Sequence, residues 1–329
     1  MKELLLEFGA VLCVTFVLTA ILGRWIIPIL RAKKIGQHIL DVGPRWHRSK
    51  EGTPTMGGIC FILAILLSLL GALVVYALRS EQSKLIPLAL TMALAVANGM
   101  IGFVDDFYKL IKKQNEGLKV YQKTILQFAV AIFYLCLLRV LGYIDTTLHI
   151  PFTEISVELG VVYYVFAALV IYFMVNSVNL TDGIDGLASS VTAIVFIFFA
   201  VVGLSALNAS VTLISAALIG GLLGFLIYNL NPARVFMGDT GSLFLGGAVT
   251  GTAFLLGEPL LLFVFGGVYV IESISVILQV GSFKLRQKRI FKMAPIHHHF
   301  EKCGWKENKV VVVFSAVTLL LCVLAWFGI

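Results

Sequence analysis

Charge is what this chain has least of. Only 13% of its 329 residues are Asp, Glu, Lys or Arg, and 59% are hydrophobic. A soluble domain carries about 25% charged and about 45–50% apolar residues. The shortage, with a mean hydropathy of +0.98, excludes a water-soluble fold around one enclosed core and points to helices packed in lipid. Cysteine is scarce as well. The five, Cys13, Cys60, Cys136, Cys303 and Cys322, include no CxxC pair, and four of them sit in apolar runs. That excludes a disulfide framework or a cysteine zinc site. The apolar runs lack the alternation of a membrane barrel. No small-residue cleavage site ends the first run, which reads as a retained span and not a cleaved leader. With no internal repeat, low-complexity tract or soluble insertion, residues 1–329 read as a single integral membrane domain, and nothing calls for a nucleic-acid partner.

What is present is a series of long apolar runs. A spanning helix needs about 20 largely apolar residues. Ten runs qualify, at 4–23, 57–78, 85–104, 125–144, 159–178, 187–206, 211–229, 242–257, 259–281 and 309–328, the eighth being short and glycine-rich. The expected fold is therefore all-α, a polytopic membrane protein of about ten transmembrane helices. The intervening segments 24–56, 105–124, 230–241 and 282–309 carry 7, 5, 1 and 8 Lys or Arg, which is 21 of the 25 in the chain. The positive-inside bias makes these segments cytoplasmic, together with 179–186, and turns both termini outward. The external segment 145–158 reads as a simple connector. The basic stretch Lys284, Arg286, Lys288, Arg289 and Lys292 reads as an amphipathic interfacial helix. The net charge of +7 thus belongs to one face, where it serves topology and also attracts an anionic substrate.

Aspartate is rarer still, yet it is not scattered. Of seven, five (Asp105, Asp106, Asp182, Asp185 and Asp239) fall where apolar runs meet that same face. Carboxylates beside a bilayer are costly, so a group of them on one side implies a shared task, holding a divalent cation and handling phosphate. Asp105 and Asp106 close the third run. Adjacent helical side chains diverge by about 100°, so one faces the site while the other orients a lysine or a metal-bound water. In N-S-V-N-L-T-D-G-I-D-G at 176–186, Asn179, Asp182 and Asp185 recur every three residues, which aligns them if the segment is helical; Asn176 lies one turn earlier. In F-M-G-D-T-G-S at 236–242, Thr240 or Ser242 caps the eighth helix, whose free N–H groups suit phosphate, while Asp239 brings the cation. Phe236 either stacks on a base or anchors at the interface. In P-I-H-H-H-F-E at 295–301, His297, His298 and His299 are too close in sequence to converge on zinc, and hydrogen bonding to phosphate or uracil fits better. In K-E-G-T-P-T-M-G-G at 50–58, Lys50 and Thr55 are positioned to reach a ligand from a shaped turn. Lys109, Lys119 and Lys123 follow the aspartate pair and are not ranked by spacing.

Taken together, G-T-P-T-M-G-G at 52–58, V-D-D at 104–106, N-x-x-D-G-x-D-G at 179–186, F-M-G-D-T-G-S at 236–242 and P-I-H-H-H-F-E at 295–301 resemble the phospho-N-acetylmuramoyl-pentapeptide-transferase family, within the polyprenyl-phosphate N-acetylhexosamine-1-phosphate transferases. The motifs occur in family order across nearly the whole chain. The resemblance implies an enzyme that moves phospho-MurNAc-pentapeptide from UDP-MurNAc-pentapeptide to undecaprenyl phosphate, giving lipid I and UMP. It also implies Mg²⁺ on Asp239, ten spans, a cytoplasmic active site in the bacterial cell membrane, and a homodimer.

On this reading Asp105, Asp106, Asp239, His297, Lys109 and Lys123 are expected to be catalytic. Lys50, Thr55, Lys119, Asn176, Asn179, Asp182, Asp185, Phe236, His298 and His299 are expected to bind substrate. Direct attack by the lipid phosphate is favoured over a phospho-aspartate. Two rivals remain, a related transferase using UDP-GlcNAc and an ion-coupled transporter. The one acid deep in a run, Glu272, serves the second as a proton site or packs against a polar partner.

Overall fold

The computed structural model describes residues 1–33, 50, 52–112 and 117–329. Of the loops expected on the basic face, residues 34–49, 51 and 113–116 lie outside the described residues. In chain order the elements are α1 (Lys2–Ala32), α2 (Gly58–Leu78), α3 (Gln82–Lys112), α4 (Val120–Val140), β1 (Thr147–His149), β2 (Ser156–Glu158), α5 (Val162–Thr181), α6 (Leu187–Ser205), α7 (Ala209–Asn229), α8 (Gly238–Leu255), α9 (Leu262–Phe265), α10 (Gly267–Arg286), α11 (Ile296–Lys302) and α12 (Glu307–Trp326).

Among the described residues nine helices, α1 to α7, α10 and α12, are long and apolar enough to cross a membrane. With no water in the hydrocarbon layer, a helix satisfies its backbone internally, which is why such apolar runs adopt it. The eighth expected span is α8, an 18-residue helix with five glycines. It is not one of those nine, and protein surrounds it: every residue from Thr240 to Phe254 is buried. α3 and α5 pack directly on it. A helix that does not face lipid has no need of a lipid-compatible surface, and small residues let its neighbours approach closely.

Three expectations change at the element level. The connector 145–158 contains an antiparallel hairpin, β1 on β2, pairing Leu148 with Val157. The ninth run is broken into α9 and α10, with Gly266 between them. The basic stretch is not an interfacial helix: α10 ends at Arg286, and residues 287–295 form an irregular strap leading to α11. Gln279 holds that strap by accepting the N–H groups of Ile290 and Phe291 and donating to the Phe291 carbonyl.

α3 also runs past its expected end. Its 31 residues span about 46 Å at 1.5 Å per residue, longer than a bilayer core of about 30 Å. Asp105 and Asp106 therefore lie inside the helix, with Lys109 one turn beyond them.

Candidate active site

The site is built where α3 crosses the start of α8. A Cβ on Gly102 would overlap the backbone of Asp239, so only glycine allows this approach. It brings Asp106 against the first turn of α8. Asp106 accepts from the backbone N–H of Asp239 (3.3 Å) and of Thr240 (2.9 Å), and from Thr240 Oγ1 (2.8 Å). A carboxylate at a helix N-terminus satisfies orphan donors and meets the positive end of the dipole. The cap expected from Thr240 or Ser242 therefore comes from Asp106 on another helix. The N–H groups expected to meet phosphate are occupied. Ser242 instead donates to the Gly238 carbonyl and accepts from Asn179.

Asp239 is the centre of the charge network. Lys109 Nζ and Lys123 Nζ each lie 3.1 Å from its Oδ2, and Asn179 donates to its Oδ1 at 2.8 Å. Lys109 also reaches Asp105 Oδ2 at 2.6 Å and Asp106 Oδ1 at 3.7 Å. The other oxygen of Asp105 accepts the Leu118 N–H at 2.8 Å. The structure thus ranks the three lysines. Lys109 and Lys123 join the cluster, while Lys119 is exposed at the start of α4, near the Tyr121 ring.

One oxygen each of Asp105, Asp106 and Asp239 lie within 4.8 Å of one another. Three convergent carboxylates are hard oxygen donors of the kind Mg²⁺ takes. The Lys109 ammonium, in contact with all three, shows that this pocket accommodates a cation. The residues present fit the ion. The two adjacent aspartates, expected to diverge, each bring one oxygen to the cluster.

The remaining predicted residues divide into separate groups. The run at 176–186 does not align its acids, because α5 ends at Thr181 and the chain turns. Asn179 reaches Asp239. Asn176 bridges to Gln127 on α4 at 3.0 Å. Asp185 faces a second network, in which Lys50 Nζ contacts Asp185 Oδ1 (2.7 Å) and Glu307 Oε2 (2.6 Å). The Asp185 Oδ2 accepts from Asn231 Nδ2 and from the Ala233 N–H, both at 2.9 Å. This network ties the turn before α2, the α5–α6 turn, the α7–α8 loop and α12 together. Asp182, half-buried, accepts no hydrogen bond among the described residues. Burial first, then the carboxylates of Asp239, Asp106 and Asp185, hold its carboxyl well above the ordinary carboxylate range.

Two motifs nearly two hundred residues apart in sequence form one backbone unit. Phe236 N–H donates to the Pro54 carbonyl (2.8 Å), Gly57 N–H to the Phe236 carbonyl (2.8 Å), and Gly58 N–H to the Met237 carbonyl (3.0 Å). Thr55 Oγ1 lies over Gly238, and Phe236 is half-buried beside it.

The three histidines take different partners, although the His297 and His298 rings lie 4.1 Å apart. His297 is buried against Glu272, with Nδ1 3.0 Å from Oε2. His298 pairs with Glu301 at 2.6 Å. His299 Nδ1 accepts the Lys292 N–H of the strap at 3.1 Å. Sequence reasoning left Glu272 without a named partner and missed Glu307 and Asn231. Glu307 gives no signal, being a charged residue at a helix start, where acids are ordinary.

Three convergent carboxylates with two lysines, at the ends of membrane helices, suit a membrane enzyme that transfers phosphoryl groups. Residues 86–257 match Glycosyl transferase family 4, and residues 50–62 match the Phospho-N-acetylmuramoyl-pentapeptide-transferase signature 1. The Phospho-N-acetylmuramoyl-pentapeptide-transferase of Clostridium botulinum (strain Eklund 17B / Type B) is 46% identical, covering 95% of this chain and 94% of its own length. That of Clostridioides difficile (strain 630) is 45% identical, covering 96% and 95%. That of Caldicellulosiruptor bescii is 43% identical, covering 95% and 94%. The chain belongs to the phospho-N-acetylmuramoyl-pentapeptide-transferase family and is a multi-pass membrane transferase.

Proposed function

We propose that this protein transfers phospho-MurNAc-pentapeptide from UDP-MurNAc-pentapeptide to undecaprenyl phosphate, producing lipid I and UMP. It does so at the cytoplasmic face of the bacterial cell membrane, as a homodimer. The observation that carries the reading is that residues from four separated motifs meet around Asp239 in a chain similar end to end to transferases of that name. The placement of 21 of 25 Lys and Arg in the inter-run segments that alternate to one side supports the cytoplasmic face.

The reaction joins two anions, so repulsion is the first obstacle. A lipid phosphate oxygen attacks the sugar-bearing phosphorus of the diphosphate, a new P–O–P bond forms, and the bond to UMP breaks. When bound, Mg²⁺ held by Asp239, with Asp105 and Asp106 beside it, would screen charge on the diphosphate. Lys109 and Lys123 supply positive charge at the same place and hold phosphate oxygens in line. Asp105 positions Lys109, and Asp106 positions Asp239 by fixing the first turn of α8. A general base is not required, since the second pKa of a phosphate monoester is about 6. Asn179 orients Asp239. His297 and His298 contact the nucleotide. Phe236, Thr55 and Asn176 shape its pocket, with Asp182, Asp185, Lys50 and His299 around it, while Lys119 lies outside it at the exposed start of α4.

The test is a reconstitution with the purified protein, undecaprenyl phosphate and Mg²⁺, comparing UDP-MurNAc-pentapeptide with UDP-GlcNAc. Lipid I and UMP should form from the first donor only. Equal use of UDP-GlcNAc would overturn the assignment. Labelled donor without lipid acceptor should leave the protein unlabelled, and a trapped phospho-aspartate would refute direct attack.

A further inference from the structure

Glu272 lies on a membrane-crossing helix, and both it and His297 are 0% exposed. Its Oε2 lies 3.0 Å from His297 Nδ1 and 3.5 Å from the His297 backbone N–H, while Oε1 has no partner. His297 is therefore the only residue among those described that hydrogen-bonds this carboxylate. Oε2 accepts the His297 backbone N–H, and the same acceptor oxygen facing the ring places the proton on Nδ1 and leaves the lone pair on Nε2. That Nε2 is buried and unpartnered. It presses against Gly183, where a Cβ would overlap it. Among the described residues, the charged or titratable groups around the ring are Glu272 behind it, Asp182 beside Gly183, and His298, whose ring centroid is 4.1 Å away.

A pair that served only to join α10 to α11 would not need an acid inside a membrane helix, where one is costly. Nor would it leave a ring nitrogen unmet, which costs about 1–3 kcal/mol. An unmet buried acceptor beside the D-G-x-D-G turn is an acceptor awaiting a donor. A lone pair repels phosphate oxygens, so the partner is an N–H or O–H group. In the nucleotide, to which His297 is assigned above, such groups belong to the nucleoside: the ribose hydroxyls and the base N–H.

We propose that Glu272 is a positioning residue that accepts a hydrogen bond from the Nδ1–H of His297 and locks the ring, so that Nε2 accepts a hydrogen bond from the nucleoside part of the donor substrate. This rests on the assignment of His297 to nucleotide contact made above. It assigns a role to an acid that no motif includes, and it narrows His297 from phosphate or nucleotide to the nucleoside.

The experiment uses the full chain in detergent, with UMP as the probe. Glu272→Gln keeps the size and loses the obligatory acceptor, and should weaken UMP binding about tenfold, the loss of one buried hydrogen bond. Glu272→Asp should fall between Gln and the natural residue. His297→Ala should bind as weakly as Glu272→Gln, and the double variant no more weakly than His297→Ala alone. Nitrogen-15 NMR of labelled histidine should show the Nδ1–H tautomer at His297, and a shift toward the other tautomer in Glu272→Gln. If His297→Ala binds UMP normally, the nucleotide-contact assignment itself fails. If His297→Ala is weak but Glu272→Gln binds normally, or the two losses multiply in the double variant, only the role of Glu272 fails. An Nε2–H tautomer in the natural protein overturns it directly. Should Glu272→Gln not fold, Glu272→Asp carries the same comparison.

Discussion

Asp106 holds Thr240 by two hydrogen bonds at once, accepting its backbone N–H at 2.9 Å and its hydroxyl at 2.8 Å. A side chain of α3 thereby completes the N-terminus of α8, and the position of Asp239 depends on it. Removing this acceptor strands buried donors. Asp106→Ala is expected to lower stability by about 2–3 kcal/mol, read as a fall in melting temperature, as well as to lower turnover. Thr240→Val, which loses one bond only, should cost about 1 kcal/mol. A full-strength melting transition in an inactive Asp106→Ala would assign Asp106 to chemistry alone.

The three lysines after the aspartate pair should separate in activity as they do in space. Lys109→Met and Lys123→Met each remove a cation in contact with Asp239, and each is expected to lower kcat by about a hundredfold, the usual loss for one preorganised electrostatic contact. Lys119→Met should retain most of the natural rate. A strong loss in Lys119→Met would show that the loop before α4 folds onto the substrate.

Lys50 is held between Asp185 and Glu307. Lys50→Met would leave two partly or fully enclosed carboxylates facing each other without their cation. The expected cost is about 3–5 kcal/mol, seen as a large drop in melting temperature that Lys50→Arg partly restores. If Lys50 instead serves only the substrate, the variant will show a raised KM and an unchanged melting temperature.

Asp182 predicts the direction of a pH effect. Its carboxyl is held above the unfolded value of 3.8, so the folded chain keeps this proton longer than the unfolded chain. Stability is lost as pH rises from the unfolded value through the raised folded one, and the loss is complete above it. Asp182→Asn removes that loss. In EDTA the variant should melt above the natural protein at pH 8, with the gap closing as pH falls. A gap independent of pH would contradict the assignment.

Much was legible before any coordinates. The apolar runs located nine helices directly, because a backbone in lipid has no option but to bond to itself. The scarcity of acid marked Asp105, Asp106 and Asp239, since a costly residue persists only for a reason. Asn179 was marked by its spacing with Asp182 and Asp185, although its partner is Asp239. Periodicity misled where the chain stopped being helical: the three-residue spacing of Asn179, Asp182 and Asp185 carries no meaning past Thr181. It was equally silent on the strap at 287–295, which is held by Gln279 and not by an amphipathic face.

By itself the sequence determined that this is a helical membrane protein with an acidic, lysine-flanked site at one end of its spans, because burial in lipid and the cost of charge are local properties of composition. Only the tertiary structure decided which acid does what. Asp106 became a cap, Asp185 part of a network joining loops, and Glu272 the partner of His297. Each role depends on which donor lies within about 3 Å, and that is set by helices crossing at a glycine, not by spacing along the chain.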